Sequence, residues 1–159
     1  MTRLYPCLWF DGNAEEAAGF YVTLLPDSHI DRLWRSPAET PSGPADMVLT
    51  VDFTLAGQRY QGLNGGPDFT FSEAVSLVIE CEDQAEVDRL WDGLLADGGE
   101  PGPCGWLKDR YGLSWQIVPR RLNEMLEGSD RDGARRAMEA MLQMGKLEVE
   151  PLERAYRGD

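Results

Sequence analysis

Among its 159 residues the chain has one histidine, His29, only three cysteines, and no apolar run approaching the length of a membrane-spanning helix. Each shortage removes a class of function. A bilayer helix needs roughly 20 apolar residues, and the N-terminus has no basic stretch leading into a long apolar one, so a soluble, cytoplasmic protein without a membrane partner is expected. Basic side chains number 15 against 28 acidic ones, and the resulting formal charge of −13 repels a phosphate backbone, so nucleic acid is not expected as a partner. Cys7, Cys81 and Cys104 form no C-x-x-C pair, which suggests neither a disulfide framework nor a zinc site. Cys7 and Cys81 lie in apolar runs where a thiol behaves as a small hydrophobe; Cys104, beside Gly105 and Trp106, is the one to test for reactivity. With one histidine, a Ser/His/Asp or Cys/His nucleophile lacks its base. No glycine-rich turn leads from a strand into a helix, as a nucleotide cofactor requires; Gly65-Gly66 runs into Pro67 and a strand.

What the chain does contain is one pattern twice. Asn13 to Asp27 lies over Asp83 to Asp97 at a constant offset of 70 residues, matching a cap residue, a Glu three positions on, a Leu-Leu pair and a closing Asp. A second match, Gly57 to Leu63 over Gly112 to Val118, brings Gln61 onto Gln116. Duplicated half-domains commonly build their working site where the halves meet, so the equivalent positions are expected to face one pocket.

The periodicities fill in each half. Leu4 to Phe10 reads as a strand closed by Asp11-Gly12, and Asn13 with Glu16 reads as a near capping box opening a helix with an apolar stripe of Ala14, Ala17, Ala18, Tyr21, Leu24 and Leu25. Strands are expected at 29–35, 48–55 and 59–64, the last two joined through Ala56-Gly57-Gln58. Between the first two lies 36–46, whose Pro37, Pro41, Gly43 and Pro44 should prevent regular structure and give a mobile loop at a pocket mouth or subunit contact. The second half repeats βαβββ: a strand at 75–80, a helix capped by Asp83 and buried through Val87, Leu90, Trp91, Leu94 and Leu95, a short strand near 100–104, and a hairpin from 105 to 118 around Asp109 to Gly112. Helices follow Pro119, with Met138, Met141 and Leu142 on one side, read as core or dimer packing. The fold class expected is α+β: two βαβββ modules, 1–64 and 65–119, forming a curved mixed sheet with a cleft, and a helical tail, 120–159, in one compact domain.

Three phrases, Leu8 to Ala17 with Phe20-Tyr21, Leu63 to Pro67, and Cys104 to Gln116, resemble the vicinal oxygen chelate superfamily of glyoxalase I, extradiol dioxygenases and bleomycin- and fosfomycin-resistance proteins. Within it the chain is similar to the PhnB-like group labelled 3-demethylubiquinone-9 3-methyltransferase domain proteins, over about residues 3 to 145. The resemblance implies paired βαβββ modules, a dimer, and four metal seats that fall at or beside Pro6, Gln61, Ser76 and Gln116. Those residues bring no charge and no imidazole, so no catalytic metal and no cofactor are expected. The expected pocket residues are Gln61, Ser76, Gln116, Asn64, Trp106 and Ser114. Gln61 and Gln116 either hold a small neutral ligand or bond each other; Trp106 is either a stacking wall or a core aromatic. Glu73, Glu80 and Asp109 are either acid–base candidates or strand-end and turn charges. Two functions stay open: a small-molecule-binding homodimer of the resistance-protein type, or an enzyme on a small organic substrate, whether metal-free, a metal-dependent isomerase, lyase or dioxygenase, or the methyltransferase of the label.

Overall fold

A computed structural model describes residues 1–159. The chain divides into two compact units, Met1–Phe71 and Ser72–Asp159. The first runs β1 (Cys7–Phe10), α1 (Ala14–Val22), β2 (His29–Arg35), β3 (Val48–Leu55) and β4 (Gln58–Asn64), and its sheet has the order β1-β4-β3-β2. The second runs β5 (Ser76–Cys81), α2 (Gln84–Leu95), β6 (Glu100–Pro101), β7 (Trp106–Lys108) and β8 (Ser114–Pro119), with the order β5-β8-β7-β6. First and last strands pair in parallel in each unit and the remaining neighbours are antiparallel. The repeat seen in sequence is therefore a repeat of topology, with each module forming its own four-stranded mixed sheet. No helix is long and apolar enough to cross a membrane.

In the first unit Ala14, Ala17, Ala18 and Tyr21 recur at helical spacing and are buried, the small residues letting α1 lie close to the sheet. Gly62 permits that approach, since a Cβ there would stand 3.2 Å from the Ala14 Cβ. Val51, Phe53 and Leu55 turn the same face of β3 to the helix and are buried, with the rings of Phe53 and Tyr21 6.4 Å apart. Ala56 and Gly57, at φ 47° and 81°, make a tight hairpin turn with positive φ at both central residues, where glycine carries no Cβ penalty.

The cap of α1 departs from expectation. The Asn13 side chain makes no capping hydrogen bond. Asn64, at the end of β4, does the work instead: its Oδ1 accepts the Ala14 N–H at 2.8 Å and its Nδ2 donates to the Val48 carbonyl at 2.8 Å. One buried amide thus ties helix start, last strand and third strand together. The second unit caps as expected, Asp83 Oδ1 accepting from the Glu86 N–H at 2.9 Å.

Residues past Asn64 still belong to the first unit, because Trp9 holds them. Its Nε1 donates to the Gly66 carbonyl at 2.8 Å, and its ring meets Phe69 edge-on at 4.8 Å. A side chain at Gly65 would collide with the Trp9 indole. Phe10 and Phe71 make a second edge-on pair at 5.3 Å. The boundary consequently falls after Phe71, later than the Gly-Gly-Pro seam.

Segment 36–46 is more ordered than its prolines imply. Ser36 is buried, its N–H donating to the Met47 carbonyl and its carbonyl accepting from Asp46 N–H, and Thr40 and Gly43 form an isolated bridge.

In the second unit Val87, Leu90, Trp91 and Leu94 of α2 are buried, as are Leu107, Leu113, Trp115 and Ile117 of the hairpin. Each such side chain contributes about 1.5–3 kcal/mol of transfer free energy. The tail folds as α3 (Arg120–Glu127), α4 (Arg131–Met141) and α5 (Val149–Arg157) around Leu122, Met125, Leu147 and Leu152. The methionine stripe splits: Met141 packs against that cluster, whereas Met138 and Leu142 are exposed. Gln84 fastens the tail to α2, its Oε1 accepting from Val149 N–H at 2.7 Å and its Nε2 donating to the Leu147 carbonyl at 3.1 Å.

Replacing Asn64 by Ala would leave the buried Ala14 N–H without its acceptor, at about 1–3 kcal/mol, and remove the donor to the half-buried Val48 carbonyl. A clearly lowered urea midpoint is expected for Asn64→Ala, and an intermediate one for Asn64→Asp, which keeps the acceptor and loses the donor.

Candidate functional site

The face of the second sheet opposite α2 carries the polar side chains. Register sets Ser76 beside Ser114, Ser114 beside Lys108, and Lys108 beside Glu100, so one row crosses all four strands. The neighbouring row holds Val78, Gln116 and Trp106. Gln116 Nε2 donates to Ser76 Oγ at 3.0 Å, so these two expected pocket residues bond each other within one unit. Trp106 is half-buried and Val78 exposed on this face.

Against this face lies a cavity of about 470 Å³ whose lining includes Glu73, Glu100, Cys104, Trp106, Lys108 and Ser114, with Pro101, Pro103 and Leu107 adding apolar surface. Two of the expected residues, Trp106 and Ser114, line it. Ser114 is 1% exposed, and its Oγ has no hydrogen-bond partner. Native proteins rarely leave a buried hydroxyl in that state, since doing so costs about 1–3 kcal/mol.

Lys108 Nζ pairs with the Glu73 carboxylate at the cavity rim. That hydrogen bond, with the Lys108 charge behind it, holds the Glu73 carboxyl below its ordinary range. The same bond raises Lys108, and the charge of Glu100 adds to the rise. Glu73 is thus kept ionised at neutral pH, unlike a general acid, whose pKa must climb toward 7. The other two acid–base candidates are also spoken for. Glu80 accepts from Asn123 Nδ2 at 2.8 Å. Asp109, buried, organises the hairpin: its Oδ1 accepts from the Tyr111 and Leu113 N–H groups at 2.8 and 3.1 Å, and its Oδ2 from the Trp115 indole at 2.8 Å.

On the first sheet the face opposite α1 carries Gln61, and its amide is committed. Gln61 Nε2 donates to Asp52 Oδ1 at 3.1 Å, while Arg32 and Arg59 each bring a guanidinium 3.2 Å from Asp52 Oδ2. Asp52 is 3% exposed. Sequence reasoning missed it, although a lone carboxylate inside the apolar run Val48 to Leu55 was a usable signal. Asn64, expected at the pocket, faces α1 through its bond to Ala14 and is structural. His29 is exposed on edge strand β2, its Nε2 2.9 Å from Asp31 Oδ1.

The metal seats implied by resemblance can be examined strand by strand. Parallel register places Cys7, the neighbour of Pro6, beside Gln61, and Val78, two positions past Ser76, beside Gln116. Gln61 and Gln116 already use their amides on Asp52 and Ser76. No group of three or more His, Cys, Asp or Glu converges anywhere in the chain. Amides, a thiol and an isopropyl group do not fit a divalent cation, which wants carboxylate or imidazole, so no step is routed through one. The turns from strand to helix, Asp11-Gly12-Asn13 and Glu82-Asp83, also lack the glycine-rich cradle of a nucleotide cofactor.

The profile of the 3-demethylubiquinone-9 3-methyltransferase family matches residues 2–118. The chain belongs to this family. Among solved structures, the PhnB protein of Bacillus cereus, described as a 3-demethylubiquinone-9 3-methyltransferase, is 33% identical with a TM-score of 0.64, over 74% of this chain and 99% of that one. A Pseudomonas aeruginosa protein shares the fold at 19% identity, with a TM-score of 0.61 over 75% of this chain and 98% of its own. So does the fosfomycin resistance protein FosX of Listeria monocytogenes, solved with manganese(II) and sulfate, at 12% identity and a TM-score of 0.51, over 74% and 89% of the two chains. At these identities the last two likenesses show a common fold, and the PhnB-like family is carried by the profile and the Bacillus cereus protein. A comparison with curated proteins finds no match.

The PhnB-like chain's three thiols are free and differ in setting. Burial, ahead of nearby carboxylates, pushes Cys81 up to about 12. Cys7 is exposed as a residue, yet partial burial of its thiol, followed by the Asp52 charge, raises its pKa as well. Alkylation with iodoacetamide at pH 8, followed by peptide mass spectrometry, should label Cys104 first, Cys7 more slowly and Cys81 only after denaturation. Early labelling of Cys81 would contradict the burial described.

Proposed function

We propose that this PhnB-like chain binds a small organic molecule on the open face of its second sheet, without a catalytic metal or cofactor, as a cytoplasmic homodimer. The observation carrying the reading is the partnerless Ser114 hydroxyl beside an apolar cavity large enough for a drug-sized ligand. A ligand with one hydrogen-bonding group would satisfy it once the Ser114 rotamer turns toward the cavity, and Trp106 offers that ligand an aromatic wall. Binding is favoured over acid–base catalysis because Glu73, the cavity carboxylate nearest to a catalytic role, is engaged by Lys108, which leaves it without a proton to donate and lowers its basicity. The methyl transfer named in the family description receives no support from the strand-to-helix turns.

Ser114→Ala separates this reading from a structural one. Removing an unpaired buried hydroxyl should leave stability unchanged or raise it by about 1 kcal/mol. Ligands found by saturation-transfer NMR against a small-molecule library should nevertheless lose affinity for the variant. A clear drop in stability would mean that the hydroxyl has a structural partner, and the reading would fail.

Free thiols suit a reducing compartment. Support for the homodimer comes from β2, the outer strand of its sheet, where every residue is exposed, including Ile30, Leu33 and Trp34. Paired against a second β2 about a two-fold axis at Leu33, Asp31 of each copy would lie opposite Arg35 of the other. Sedimentation should give twice the 17.8 kDa chain mass and the single-chain mass for Trp34→Glu. A monomeric parent protein would rule the dimer out.

A further inference from the structure

The cavity's charges speak to what enters it. Resting on the small-molecule reading above, we infer that the second-sheet cavity selects a ligand with an aromatic or alicyclic body and one positive charge, an amine in chemical class, over a carboxylate of the same shape. Three ionic groups line it: the carboxylates of Glu73 and Glu100 and the ammonium of Lys108. Lys108 is the only cation among them, and it is engaged by Glu73. An entering anion must therefore break that pair and approach the Glu100 carboxylate, which stands directly across from Lys108 in register.

An entering cation faces the reverse situation. One negative charge of the rim is left over after Lys108 and Glu73 cancel, and Glu100 carries it. The indole face of Trp106, next in line on the same strand as Lys108, attracts a cation through its ring quadrupole. Pro101 and Pro103 supply apolar walls for the ligand body. The Ser114 hydroxyl, both donor and acceptor, is the one unpaired polar side chain just beneath the floor, and a turn of its rotamer toward the cavity would let it accept from an ammonium N–H. The formal charge of −13 on the whole chain adds a long-range bias of the same sign.

The test uses three naphthalene probes of matched shape on the full-length protein: 1-naphthylmethylamine as its ammonium, 1-naphthalenemethanol and 1-naphthoate. Binding is read from the Trp106 indole N–H resonance, assigned by its disappearance in Trp106→Phe. The ammonium should bind about tenfold more tightly than the carboxylate, one step of about 1.4 kcal/mol, with the alcohol between them. In Glu100→Gln the gap should shrink to roughly threefold or less, since one full charge beside the ligand is gone. Equal or tighter binding of naphthoate overturns the charge preference while leaving a small-molecule site in place. A gap unchanged in Glu100→Gln overturns its assignment to this rim. If none of the probes moves the Trp106 resonance, the cavity is no binding site, and both readings fall.

Discussion

Parallel pairing of the first strand with the last is the constraint on which each unit depends. Two parallel strands cannot be joined by a tight turn, so the chain must cross over before the second can lie beside the first. Here each crossover holds a helix and two further strands, and the helix has one sheet face to cover. Everything polar on the last strand then alternates onto the other face. Gln61 with Arg59, and Gln116 with Ser114, are where they are because Tyr60 and Gly62, Trp115 and Ile117, are claimed by the helix side.

Polar residues on the open faces are bonded with very different completeness. On the first sheet Asp52 gathers Arg32, Arg59 and Gln61, a set whose charges and donors meet one another. On the second, Gln116 and Ser76 satisfy each other, Lys108 and Glu73 pair at the rim, and Ser114 is left over. A buried hydroxyl with nothing to bond is a local cost, and such costs persist where something outside the folded chain relieves them. That contrast, more than any motif, directs attention to the second sheet.

Most of the architecture was legible in the residues. Strands 29–35 and 48–55 run as their patterns predict, because alternation is local. What escaped was non-local. Asn13 has the composition of a cap, yet Asn64, fifty positions further on, takes the role; no window of sequence shows an amide arriving from another strand. For the same reason Asn64 read as a pocket residue. Cys7 and Val78, which register sets beside the two glutamines, lie within two positions of the implied seats and 71 apart (78 − 7), because the offset of 70 holds for the helices whereas Gly12 lengthens the first strand-to-helix turn by one. Ser114 was legible through strand alternation and Trp106 through the family resemblance, but the emptiness around the Ser114 hydroxyl depends on packing and could not be.

The family match ends at residue 118, before the first tail helix. Yet the tail reaches the cavity wall: Cys104 N–H donates to the Met144 carbonyl and Gly105 N–H to the Gly145 carbonyl, both at 2.8 Å. Leu147 fills the space where a side chain at Gly105 would go. A segment outside the shared module thus grips the turn between β6 and β7 that frames its cavity. Lineages with other C-terminal extensions could reshape this wall without altering a residue of the common core, a route by which one scaffold acquires new ligands.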